Sequence, residues 1–367
     1  MKRKGFLVML FIASFLSGCQ TQNRTSVKEV LDRGTNIEPT LYTLEEQRDV
    51  LKKYSEFYSY TYLEKEVEKE WGTYVVPGLI STETLALDKI GKGSISKTMD
   101  PQGVTVTEKY VLISAYSHDK KNNSVIYVLD KFSHKYIKTV VLRGKPHVGG
   151  ITYDTKAQNI WVCSITPEGK AEIVSISLED LENYQLSPDY EPVSYNQAIT
   201  LKEIKRASYI TYAENALFVG YFSDKHEGII EKFLMDETGK FIEEVNHRSV
   251  LTTQKATATP DDINKVTHGI QGITFYKEYM LLSQSYGPKS SKIFIYEDIG
   301  GEEILLDKDA LKVIEVPAYL EQITADQGQL YSIFESGTKR YRDEEGITKV
   351  DRVLKLDLER LINVKME

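Results

Sequence analysis

Two stretches decide the fold: Pro101-Gln102-Gly103-Val104-Thr105 and Ile270-Gln271-Gly272-Ile273-Thr274. Each is followed by a polar link and an apolar run, Tyr110-Val111-Leu112-Ile113-Ser114 in the first and Tyr279-Met280-Leu281-Leu282-Ser283 in the second. A tyrosine follows each run (Tyr116, Tyr286). After a polar turn, Ser124-Val125-Ile126-Tyr127-Val128 matches Lys292-Ile293-Phe294-Ile295-Tyr296. The unit ends on Ile137-Lys138-Thr139-Val140-Val141-Leu142 or Leu311-Lys312-Val313-Ile314-Glu315-Val316. Short β-branched and aromatic runs bounded by polar turns read as strands, so each unit holds four.

Three looser copies share this frame. They begin at Gly150-Ile151-Thr152, at Ile210-Thr211 and at Ile323-Thr324. The equivalent residues Val104, Ile151, Ile210, Ile273 and Ile323 are 47, 59, 63 and 50 positions apart. Four short strands in every 40 to 60 residues or so mark the blades of a β-propeller. The chain is therefore expected to be all-β, with five four-stranded blades over 73–367. The last copy has no room for a fourth strand, and Thr82-Glu83-Thr84-Leu85-Ala86-Leu87 is expected to supply it from the N-terminal side, hiding an open edge. Six blades, with Tyr74-Val75-Val76 contributing to the sixth, and a β-sandwich are the alternatives.

Ahead of the repeat, Thr43-Leu44-Glu45-Glu46 has the form of a capping box and opens a helical extension over 41–72. Residues 19–40 are polar and patternless and read as a tether. At the start, Lys2, Arg3 and Lys4 precede an apolar run from Phe6 to Leu16, then Ser17-Gly18-Cys19. A basic start, a short apolar core and small residues at a cut site describe a secretory signal over 1–18. The cysteine directly after Ser17-Gly18 resembles the lipobox of bacterial lipoproteins. That resemblance implies lipidation of Cys19, cleavage before it, and a membrane partner met through the lipid, outside the cytoplasm. A plain signal peptide with a coincidental cysteine is the alternative.

Cleavage before Cys19 would remove three basic residues and shift the formal charge from -8 to -11, with 43 basic against 54 acidic residues. So acidic a body is unsuited to nucleic acid, whose binding depends on neutralising phosphates. With Cys19 lipidated, Cys163 in Ile160-Trp161-Val162-Cys163 is the remaining thiol, expected to be buried and inert.

The first strand of each blade lines a propeller's channel, so residues just before it converge on one rim. The expected ligand-binding set there is Gln102, His147, Arg206, His268, Gln271 and Glu321, with Asp100, Tyr209 and Gln322 beside them. Loops after the second strands offer Tyr116, Tyr221, Tyr286 and Glu335. Each also has a structural reading: Gln102 and Gln271 as hydrogen-bond partners of neighbouring blade backbones, the histidines as satisfied scaffold residues, the tyrosines as wedges. No cluster has metal-ligand spacing and no Gly-Xaa-Ser-Xaa-Gly elbow occurs, so neither metal nor cofactor is expected. Glu321 and Glu335 are the candidate acid/base pair. Asp261-Asp262 reads as a turn or helix start.

The segments Val76-Pro77-Gly78-Leu79, Pro101-Gln102-Gly103, Ser124-Val125-Ile126-Tyr127-Val128-Leu129-Asp130 and His147-Val148-Gly149-Gly150 resemble a group of secreted bacterial propellers, a likeness that implies no reaction. Gln271-Gly272 with Ser285-Tyr286-Gly287-Pro288-Lys289-Ser290-Ser291 is similar to the five-bladed glutaminyl cyclases. That resemblance implies a catalytic acid in a Glu-Gly pair before a following blade. The nearest match, Gly149-Gly150, lacks the carboxylate. The expected role is a lipid-anchored surface propeller binding a glycan, peptide or envelope protein at its central rim. The alternatives are an enzyme using the same channel, as a cyclase-like acyl transferase or a hydrolase, and an envelope assembly scaffold.

Overall fold

Strands whose residues are apolar on both faces need partners on both sides, and a ring of packed sheets provides them. The computed structural model describes residues 41–64, 73–89, 91–187, 189–250, 253–297 and 305–363. The expected signal, Cys19 and the tether lie outside them. The ring has five blades. Blade 1 comprises Met99–Val106, Tyr110–Ser117, Val125–Asp130 and Tyr136–Val141, and blade 4 comprises Ile270–Tyr276, Tyr279–Gln284, Ser291–Glu297 and Lys312–Val316. In blade 2, Ile151–Asp154, Asn159–Ile165, Ala171–Ser177 and Gln197–Leu201 follow in order. Blade 3 is built from Tyr209–Ala213, Ala216–Tyr221, Gly228–Leu234 and Asp262–Val266. The five equivalent residues Val104, Ile151, Ile210, Ile273 and Ile323 all sit on inner strands and are buried.

One apolar cluster fills each seam. Val111, Ile113 and Ala115 of blade 1 face Tyr331, Ile333 and Val353 of blade 5. The alternating neighbour Leu112 faces Ile151, Val162 and Val174 of blade 2. This alternation, with both faces covered, is why the strands look uniformly apolar. Cys163 lies in the seam between blades 2 and 3, and burial pushes its thiol pKa up, as expected of an inert packing residue.

Blade 5 holds Leu320–Asp326, Gln329–Phe334 and Arg352–Asp357, and its fourth strand comes from the N-terminal side. That strand is Tyr74–Val75, pairing with Val353 and Arg352, and not Thr82–Leu85 as expected. Thr82–Leu85 is a strand, but it pairs with Gly93–Ser96 in a separate hairpin. Tyr74 is held by its ring, stacked 4.2 Å from His134, and by its hydroxyl, which donates to Lys131 O at 2.5 Å. Those two contacts also tie the closing strand to blade 1.

Among the described residues two α-helices precede closure, Leu44–Leu51 and Ser55–Tyr60, and the Thr43/Glu46 capping box is present in full. Leu51, Phe57, Tyr58 and Leu63 pack into the seam between blades 4 and 5. Blade 2 carries an addition absent from the repeat: the hairpin Glu244–Val250 with Thr253–Ala258 leaves blade 3 and joins Gln197–Leu201 in parallel. Asp261-Asp262 then leads into the fourth strand of blade 3, not into a helix. Among the described residues no helix is long and apolar enough to cross a membrane.

Candidate functional site

The Gln-Gly repeat proves to be a β-bulge. The register slips at Gln102 between Pro101 and Gly103, at Gln271 between Ile270 and Gly272, and across Glu321-Gln322 between Leu320 and Ile323. A bulge re-aims the extra residue's side chain, and here it directs polar groups to one mouth of the channel. The following glycine lets inner strands crowd together. A Cβ on Gly103 would stand 2.6 Å from both Gln322 Oε1 and Ser114 Oγ.

Gln322 closes the channel. Its Oε1 accepts from Val104 N at 3.2 Å and Ile151 N at 3.0 Å, while Nε2 donates to Ile151 O at 2.7 Å and Ile210 O at 3.0 Å. One amide thus joins blades 1, 2, 3 and 5 with all its bonding capacity used. The backbone-tying role read for Gln102 and Gln271 belongs to Gln322.

Gln102 and Gln271 instead reach acids. Gln102 Nε2 donates to Glu335 Oε1 at 2.8 Å and to Pro101 O at 3.0 Å, and Gln271 Nε2 lies 3.5 Å from Glu321 Oε1. Asp100 completes a three-carboxyl cluster, with Asp100, Glu321 and Glu335 exposed by only 1, 5 and 6%. Neither Asp100 oxygen has a hydrogen bond of good geometry, and the nearest ionisable nitrogen is His118 Nδ1, 3.3 Å from Oδ2. Burial, then the charge of Glu335, pushes the Asp100 carboxyl up to about 8, while Arg340, Thr338 and Tyr116 restrain the shift. Burial likewise lifts Glu335 to about 7, held back by Tyr341, Arg340 and Gln102. Glu321 is raised well above the usual carboxylate range by burial and by both other acids. At neutral pH the cluster keeps protons that ordinary carboxyls have lost.

Cationic and aromatic groups rim the acids. Arg340 is exposed, with its guanidinium 4.8 Å from the Tyr341 ring centre, and Tyr341 stacks on Tyr319 at 4.0 Å. His147 lies 4.3 Å from the Tyr116 ring. The atoms crowded around it, with Arg206 and Arg340 near, hold its pKa below the ordinary histidine value, although the residue still presents surface to solvent. His118 is also lowered, first by burial and then by Arg340. A cleft of about 680 Å³ opens next to His118, lined in part by Lys97, Thr98, Asp119, Lys120 and Lys339.

Of the expected binding residues, Gln102, Gln271 and Glu321 meet at the acids. His147 stands beside them on Tyr116, and Arg206 lies near His147, 5.9 Å from the Tyr221 ring. His268 is an exposed residue whose backbone O accepts from Gln284. Tyr286 turns outward to Asp224. Arg340, Thr338 and Tyr341 were not anticipated. Their one signal was the length of the loop after Phe334 in the last copy, 17 residues before Arg352 resumes the blade. Among the described residues no group of three His, Cys, Asp or Glu side chains is placed to hold a metal ion. At Gly149, where the cyclase resemblance would put an acid, a Cβ would meet Ser208 O at 2.2 Å, so the backbone approach excludes a side chain.

Neither a family model nor a curated protein matches the sequence. Propellers are among the solved structures it is similar to. A glutaminyl cyclase of Myxococcus xanthus is 10% identical, with 71% of this chain and 91% of that one covered and a TM-score of 0.42. The β-propeller domain of the Trilobed protease from Pyrococcus furiosus is 15% identical over 66% of this chain and 81% of that one, at a TM-score of 0.33. The WD40 propeller domain of Doa1 is 10% identical over 70% and 66%, at 0.31. The chain is a five-bladed propeller whose solved neighbours differ in what they do.

Proposed function

We propose that this chain is a lipid-held surface propeller that binds, at the mouth between blades 1 and 5, a ligand bearing a protonated amine. One observation carries the reading: the carboxyls of Asp100, Glu321 and Glu335 are buried together at one mouth of the channel. Such an arrangement is costly unless something outside the fold compensates it. An ammonium group replaces the shared protons, satisfies several acceptors and lowers all three carboxyl pKa values at once. The cleft lined by Thr98, Asp119 and Lys120 accommodates the remainder of the ligand. An amino sugar of a wall glycan, a peptide terminus and a lysine of an envelope protein share this chemistry. The lipobox supports the location.

The test pairs ligands that differ only in the amine: glucosamine oligomers against their N-acetylated forms, and tripeptides against N-acetyl tripeptides. The free-amine member is expected to stabilise the protein by about 2.7 kcal/mol at 100 times its dissociation constant, and Asp100→Asn is expected to abolish that shift. Equal responses from both members of every pair would reject the reading.

A second reading rests on Glu335, whose carboxyl is raised to about 7. That value suits a general acid/base at neutral pH, so the same mouth could turn over the ligand it binds. Turnover lost in Glu335→Gln while binding persists would establish it.

A further inference from the structure

The inner strand of blade 5 runs from Glu321 at the mouth to Asp326 at the opposite face, and a second pocket lies at that far end. It is lined by Tyr74, Lys131, Phe132, Asp326, Gln329, Tyr331 and Lys355 among others and encloses about 300 Å³. That is the lower end of the range in which small-molecule sites fall. Three parts of the fold build it: the closing strand supplies Tyr74, blade 1 supplies Lys131 and Phe132, and adjacent strands of blade 5 supply the paired residues Tyr331 and Lys355.

Its charge is unusual for a seam. The Lys131 side chain is only 9% exposed, with Nζ 2.8 Å from Asp326 Oδ2 and 3.2 Å from Thr107 O. Lys355 is 5% exposed, with its ammonium 5.6 Å from the Tyr74 ring centre. Lys131, Lys355 and Asp326 line the same open pocket. Burial, then the nearby Lys131, brings Lys355 down to about 8. Tyr74 and Tyr331 form aromatic walls, and Phe132 stands 72% exposed.

We infer that this pocket binds a compact oxyanion carried on a flat apolar group, such as an aryl phosphate or aryl carboxylate. The oxyanion sits between the Lys131 and Lys355 ammonium groups, and its ring lies against Phe132. The site is separate from the mouth and does not depend on the reading given there.

The experiment titrates the purified full chain with phenyl phosphate, benzoate, inorganic phosphate and uncharged phenol by calorimetry. Saturable binding of phenyl phosphate is expected, weaker binding of inorganic phosphate, and none of phenol. Lys355→Met and Lys131→Met should each weaken phenyl phosphate at least tenfold. Lys355 should also be shielded from amine acetylation by the ligand in the wild-type protein, a mass-spectrometric readout that needs no variant. Absence of saturable binding by both aryl anions would overturn the inference. So would unchanged affinity in folded Lys355→Met, or acetylation of Lys355 indifferent to ligand.

Discussion

Burying Asp100 beside Glu335 and Glu321 makes stability depend on pH in a direction opposite to that of a salt-bridged acid. In the unfolded chain an aspartate loses its proton near pH 4, whereas in the fold Asp100 holds it to about 8 and Glu335 to about 7. Between those limits the native state binds more protons than the unfolded one, so stability falls as pH rises. The melting temperature is expected to drop between pH 5 and 8. Asp100→Asn should recover about 4 kcal/mol more at pH 8 than at pH 5, since one pK unit is worth about 1.4 kcal/mol and about three units separate the two conditions. A shift of equal size at both pH values would show that the penalty is not ionisation. Much of this was legible in the sequence, because the positions before inner strands can be counted once the repeat is seen. That count reached Asp100, Gln102, Gln271 and Glu321, and the loops after the second strands added Glu335. It missed Arg340, whose place is set by a long irregular loop with no period to follow.

The bulges and the Gln322 plug act at the scale of elements. Removing the Gln322 amide leaves two backbone N–H groups and two carbonyl oxygens of blades 1, 2 and 3 without it. A buried unpaired group costs about 1–3 kcal/mol, so Gln322→Ala is expected to lose at least about 3 kcal/mol in urea unfolding. Gly103→Ala should be nearly as damaging, because its new Cβ meets Gln322 and Ser114 at 2.6 Å. Loss below 1 kcal/mol in both variants would mean the inner ring tolerates rearrangement. The Gln-Gly pairs were visible as a repeat, but which glutamine ties the blades was not, since Glu321-Gln322 breaks the pattern at the position that matters. The closing strand was misassigned for a related reason. Thr82–Leu85 has the alternation of a strand and is one, but alternation does not name a partner. Tyr74–Val75 is too short to show a period, and its ring stacking on His134 was not encoded locally. The hairpin that blade 3 lends to blade 2 was invisible because its parallel pairing joins residues more than fifty positions apart.

For the whole molecule, the ring is held shut by one short strand anchored on both sides of the seam between blades 5 and 1. A chain starting at residue 76 would lack that strand and the helices on the neighbouring seam, leaving a free edge that invites association. It is expected to aggregate or melt without cooperativity, whereas a chain starting at residue 41 should melt in one sharp transition. Equal behaviour of the two would place the stability elsewhere. The lipobox reading is tested by Cys19→Ser, expected to move the protein from the membrane fraction to the soluble fraction. What the molecule offers to the outside is the mouth, and the central claim is that an amine there takes the place of protons held by Asp100, Glu321 and Glu335. The most direct measurement is calorimetric titration of the best free-amine ligand at pH 7 in buffers of different ionisation enthalpy. Release of about one proton per ligand bound is the result this account requires. Binding with no proton release, or with proton uptake, would contradict it.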